Sequence, residues 1–307
     1  MVAGALPPVL EEPVWFDRLC RPTWLLPPVR DGAARVAFVS EHRPGEPDRD
    51  LSVGLPLYLA ESVRFATEAA TFAVTAPVPP GSGDLPAREL DASLLVTTAF
   101  ATTPEGRRLL LRVDGPSGAI VETELAAADG AELGETIAGL PRRVTDAVRS
   151  TGIPGTWAPV YASPSASLAV RYLHAHRGCL ELGDASLYPP ADDDTEIVSA
   201  RRTVVKALLS ALADFAQRGR GAFPTLLYFG GLAGAFAHGS NLPLDFRLQT
   251  NALCMEAKDP RDLAFRLSAL ALRLQGDVQV AERRAHTLEG TGDRALAEWL
   301  RRVEAVR

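Results

Sequence analysis

Lysine is nearly missing from this 307-residue chain: Lys206 and Lys258 stand alone, and arginine carries the remaining positive charge. Cysteine is scarce too. Cys20, Cys179 and Cys254 are odd in number and far apart, so they build neither a disulfide framework nor a CxxC metal or redox motif, and reduced thiols in a reducing compartment are expected. There is no long hydrophobic run; the longest, at 226–237, is too short for a bilayer and is interrupted by glycines, so it is expected to be a buried helix. The first twelve residues lack the basic leader and apolar stretch of a secretory signal. A soluble, cytoplasmic protein without membrane insertion is the expectation. Positive charge is also not in excess. With 32 Lys+Arg against 38 Asp+Glu, the chain is poorly equipped to neutralise phosphates, which disfavours nucleic acid as a partner.

What is present is an ordinary globular composition, 47% apolar and 23% charged, on a chain long enough for two domains. Residues 1–34 hold six prolines among Trp15, Phe16, Trp24 and Leu25, a density that forbids a long helix and suggests an extended arm with aromatic anchors. From 35 to 151 the pattern is α/β. A β-branched and aromatic run at 35–41 predicts a strand, and Leu51, Leu55, Tyr58, Leu59, Val63 and Phe65 predict a helix over 51–69, with Asp50 as cap and Pro56 near the first turn. Strands follow at 71–76, 91–103, 107–114 and 119–126, the last three as an antiparallel meander, and a helix at 129–149 closes the unit. The expected order is β-α-β-β-β-β-α in a mixed sheet.

Residues 152–164 are rich in proline and glycine without periodicity and are read as a linker. Beyond it, 165–307 reads as an all-α helical-hairpin domain. Helices are expected at 165–182 and 195–218, and after Pro224 the breakers Asn241-Leu242-Pro243, Asp259-Pro260, Gly276-Asp277 and Gly292-Asp293 recur about every 16 to 17 residues, two such helices making a hairpin of roughly 34.

The strand at 35–40, the glycine-containing helix start at 51–60 (LSVGLPLYLA), the strand at 92–101, the hairpin at 109–124 and the closing helix at 135–148 together resemble the TolB-type amino-terminal α/β domain. That resemblance implies a binding or assembly module without chemistry of its own. The hairpins at 263–276 and 278–292 resemble degenerate tetratricopeptide repeats, lacking most of the Trp, Leu-Gly and Tyr positions, and imply a groove for protein partners.

Residues of catalytic or ligating type find plainer roles. His174 and His176 lie two apart on one predicted helix and face about 200° from each other, so they cannot share an ion; His176 and Cys179 can share a face. Asp192, Asp193 and Asp194 precede a helix start and suit capping and the helix dipole. The run Phe229-Gly230-Gly231-Leu232-Ala233-Gly234 lacks the Lys-Ser/Thr of a P-loop and reads as a helix face kept small for a close neighbour. His238-Gly239-Ser240-Asn241 reads as a helix end, and no GxSxG, HExxH or Cys–His pair is apparent. The arginine pairs 142–143, 201–202, 283–284 and 301–302 are diluted by acids and read as solvated faces with i,i+4 ion pairs. No catalytic, cofactor-binding or metal-ligating residue is assigned. The expected function is a non-enzymatic interaction or scaffold protein that self-associates or binds a protein partner through its helical domain. The alternative is an enzyme or small-ligand binder with a site between the domains near Tyr161, His174 and His238.

Overall fold

A computed structural model describes residues 8–43, 49–82, 88–104, 106–127, 130–155, 164–181, 209–210, 212–214, 222–237 and 244–306. The protein has an α/β fold with a six-stranded mixed sheet. The chain forms two compact units, one comprising Met1–Pro13 and Leu26–Arg177, the other Val14–Leu25 and Gly178–Arg307.

In the first unit the sheet runs β1-β3-β2-β4-β5-β6. The strands are β1 (Val9–Leu10), β2 (Arg35–Glu41), β3 (Ala70–Val74), β4 (Leu94–Thr103), β5 (Gly106–Gly115) and β6 (Gly118–Ala126). Helix α1 (Arg49–Ala66) connects the parallel strands β2 and β3, and β4 pairs parallel on the other side of β2. Short connections from Thr103 to Gly106 and from Gly115 to Gly118 then force β4, β5 and β6 into the antiparallel meander that the sequence suggested. The helical stripe of α1 is fully buried at Leu55, Tyr58, Leu59 and Val63. Helix α2 (Ala131–Ser150) packs on α1 and β6 with Ile137, Leu140, Val144 and Val148 inward. On the other face Ala37, Val39, Val74, Val78 and Leu95 form a second small core, flanked by Val9, Leu90 and Ala92.

Four sequence expectations are corrected here. Helix α1 begins at Arg49, so Asp50 lies inside its first turn and pairs with Arg177 instead of capping; Pro56 sits in the helix interior, where its missing N–H leaves the Ser52 carbonyl without a helical donor. Residues 1–34 are not one arm. Val9–Leu10 adds an edge strand antiparallel to β3, Val14–Leu25 joins the second unit, and the chain returns to the first at Leu26. The unit boundary also falls later than 152–164: helix α3 (Ala166–Glu181) contributes its residues up to Arg177 to the first unit. The reason is packing, since Tyr172, Leu173 and His176 are buried in that unit, and a Cβ at Gly54 of α1 would lie 2.5 Å from the Leu173 carbonyl oxygen.

Several helices are described in the second unit. They are α4 (Ala222–Ala237), α5 (Leu244–Glu256), α6 (Leu263–Leu274), α7 (Val278–Glu289) and α8 (Arg294–Glu304), with a 3-10 turn at Thr23–Leu25. Helices α6 and α7 pack as a hairpin, α4 and α5 pack on α6, and α8 packs on α7 and on the 3-10 turn. The stop signals act as expected: Gly276 ends α6 in the left-handed region (φ 87°), and Asp293 caps α8 by accepting from Leu296 N–H at 3.1 Å. Trp299, fully buried, donates to the Leu19 carbonyl at 2.6 Å and meets Trp24 edge-on at 5.7 Å, which seats the 14–25 segment. Gly230 gives the same segment its close approach, because a Cβ there would lie 2.6 Å from Trp15 Cβ. Among the described residues no helix is long and apolar enough to cross a membrane.

Candidate interaction sites

The most concentrated polar chemistry of the first unit is a closed cluster between α1 and α3. Glu61 Oε2 lies 2.9 Å from His176 Nε2, His176 Nδ1 lies 3.0 Å from the Tyr172 carbonyl oxygen, and Tyr172 Oη donates to Glu61 Oε1 at 3.5 Å. A carbonyl only accepts, so Nδ1 carries a proton; the Nε2–Oε2 contact then holds one further proton and the pair is neutral in sum, either as imidazolium–carboxylate or as imidazole–carboxylic acid. Tyr58 and Tyr172 rings wall the imidazole at 5.9 and 4.6 Å. Both side chains of the ion pair have no solvent exposure. Closed to substrate, the cluster fastens α3 to α1.

The sequence candidates are distributed accordingly. His174 is exposed and His176 buried, the opposite orientations that their two-residue spacing requires. Cys179 is buried in the second unit, where Arg18 donates to its carbonyl and, at 3.0 Å, to its sulfur. Among the described residues no group of three or more His, Cys, Asp or Glu is disposed to hold a metal. Tyr161, Asp192 to Asp194, Arg201, Arg202 and His238 to Asn241 lie outside the described residues.

The arginine pairs do more than the sequence reading gave them. Arg142–Asp146 and Arg302–Glu298 are i,i+4 ion pairs as expected. Arg284, however, donates to the Cys254 and Ala257 carbonyls at the end of α5 at 2.9 and 2.8 Å, and Arg302 donates to those of Cys20 and Arg21 at 3.0 and 2.9 Å. Arg247 meets the Gln275 carbonyl, and Arg273 those of Glu304 and Val306. Helix ends leave carbonyls without intrahelical donors, and these guanidiniums supply them from neighbouring elements. Burial pushes the Cys254 thiol and the Tyr228 hydroxyl up to about 12 each, with Tyr228 hydrogen-bonded to Thr250 across α4 and α5.

Among the described residues two surfaces stay open. The first is a face of α5: Leu244, Leu248 and Met255 are 68%, 57% and 50% exposed, with the exposed Ala252 between them. Spacings of four, four and three put all of them on one stripe about 16 Å long, opposite the buried Phe246, Thr250 and Cys254. Sequence reasoning missed it, because α5 has apolar residues on both sides and therefore no clear inner face.

The second is on the sheet of the first unit, on the face away from α1 and α2. Cross-strand register puts Thr97, Arg112 and Glu122 in one row and Ala99, Leu110 and Glu124 in the next. They line a groove of about 600 Å³, completed by Glu41, Gly81 and Asp114. Arg112 Nε donates to Asp114 at 2.8 Å, and Glu41 accepts from Gly81 N–H at 3.0 Å. Four carboxylates thus meet two guanidiniums, Arg112 in the lining and Arg108 beside Glu124 at 3.6 Å. No protein-family model matches the chain, and no curated protein matches it.

Proposed function

We propose that this is a non-enzymatic interaction or scaffold protein, an α/β domain followed by an all-α helical-hairpin domain, and that the helical domain binds an amphipathic helix of a protein partner along α5. The α5 stripe is the observation that carries the reading. It is one residue wide and three turns long, flanked by the exposed Arg247, Gln249 and Glu256, dimensions that suit the apolar stripe of another helix better than a small molecule. Covering each of its large side chains contributes about 1–2 kcal/mol, given their present exposure. The likeness to TolB-type and tetratricopeptide-type modules supports the same role.

A photo-crosslinking residue introduced at position 248 tests it in the source cells. A discrete adduct with one protein, lost in the Leu244→Ser, Met255→Ser double variant, is the expected result. No adduct, together with an unchanged monomer at all concentrations in sedimentation, overturns the reading.

A further inference from the structure

We propose a second binding site, separate from α5: the outer edge of β6, which no described strand pairs with, accepts an extended, cationic segment of a partner protein as an added strand, its arginines or lysines lying over the carboxylate-lined groove. Among the described residues, strand β6 is the last in the sheet order and pairs with β5 alone. Ala127 N–H donates to the Arg107 carbonyl at 3.0 Å, and successive residues of a ladder point their main-chain groups alternately to either side. Residues 121, 123 and 125 therefore turn toward β5, while 122, 124 and 126 turn outward. Thr136 Oγ1 meets the Ala126 carbonyl at 2.6 Å. Among the described residues, no hydrogen bond meets the outward main chain of Glu122 or Glu124. These same two residues put exposed carboxylates on the groove side, so a strand acceptor and an acidic floor coincide.

Charge decides what can lie there. Two copies paired edge to edge about Thr123 set Glu122 opposite Glu124, and pairing about either glutamate sets it opposite itself; like charges directly across a ladder repel. Arg112 pairs with Asp114 and Arg108 with Glu124 at 3.6 Å, so Glu41, Asp114, Glu122 and Glu124 together outnumber the two guanidiniums and the groove keeps a net negative charge. A partner strand with cations at every second position brings one to each glutamate, at the spacing of about 6.8 Å that two residues of strand provide. Its intervening residues, β-branched or aromatic, extend the half-buried row Val121, Thr123 and Leu125 on the helix side. Charges on an edge also deter indiscriminate pairing, and here they select for a cationic strand.

The test uses the full chain and a labelled, end-blocked peptide of alternating arginine and valine, about as long as an ordinary strand. Anisotropy near physiological salt should show binding, and hydrogen exchange should slow at residues 122–126. The same peptide N-methylated at alternate residues keeps its charge and loses the ladder; it should bind about tenfold more weakly, as should a peptide with its arginines in one block. Glu122→Gln with Glu124→Gln should weaken binding by a similar factor, while Glu282→Gln with Glu289→Gln on α7 should not. Equal binding of the N-methylated peptide reduces the contact to charge attraction and overturns strand addition. So does protection outside β6, or no binding by any peptide.

Discussion

At the scale of single residues, the Glu61–His176 pair makes a prediction that depends on which atom is removed. His176→Ala leaves the buried Glu61 carboxyl without its partner and should cost about 3 kcal/mol or more in urea denaturation. Glu61→Gln should cost only about 1 kcal/mol, because a neutral imidazole can accept at Nε2 from the amide while Nδ1 still donates to Tyr172. Equal losses would mean that the pair contributes by volume alone. Cys254 and Tyr228 set an alkaline limit. Their folded values of about 12 lie above the ordinary 9.0 and 10.0, so their contribution is complete below about pH 9 and is lost as pH rises toward 12. The melting temperature should be level up to that point and then fall. Cys254→Ala and Tyr228→Phe should each make the fall shallower.

At the scale of elements, two glycines decide how closely others lie. Gly54→Ala pushes a methyl into the Leu173 carbonyl, and Gly230→Ala pushes one into Trp15; each should cost about 1–3 kcal/mol. Hydrogen exchange separates them: the first should loosen 166–177 and the second 14–25. Much of this level could be read from sequence. The meander and the α6–α8 boundaries follow from turn and breaker residues that act locally, such as Gly276 and Asp293. Strand β1 could not be read, since two residues between Pro8 and Glu11 show no period and exist as a strand only because β3 offers an edge. Nor could the two open surfaces. The groove depends on a register that puts Glu41 and Glu124 in one row across four strands, and the α5 stripe is visible only once its other face is seen to be covered.

At the scale of the whole molecule, the second unit draws on both ends of the sequence: Val14–Leu25 and Gly178–Arg307. Trp299→Ala should therefore raise hydrogen exchange in 14–25 as well as in α8, with β4–β6 unchanged, because it removes both the bond to Leu19 and the ring contact with Trp24. A change confined to α8 would argue that the segment is held by other contacts.

The Leu19–Trp299 bond spans 280 residues, and that separation has a consequence for biosynthesis. A ribosome moving at about 5–20 residues per second needs roughly 15–55 s to travel it. Throughout that interval Leu19 and Trp24 lack the helix that will cover them, so the nascent chain offers chaperones an early, aromatic handhold that the finished protein withdraws.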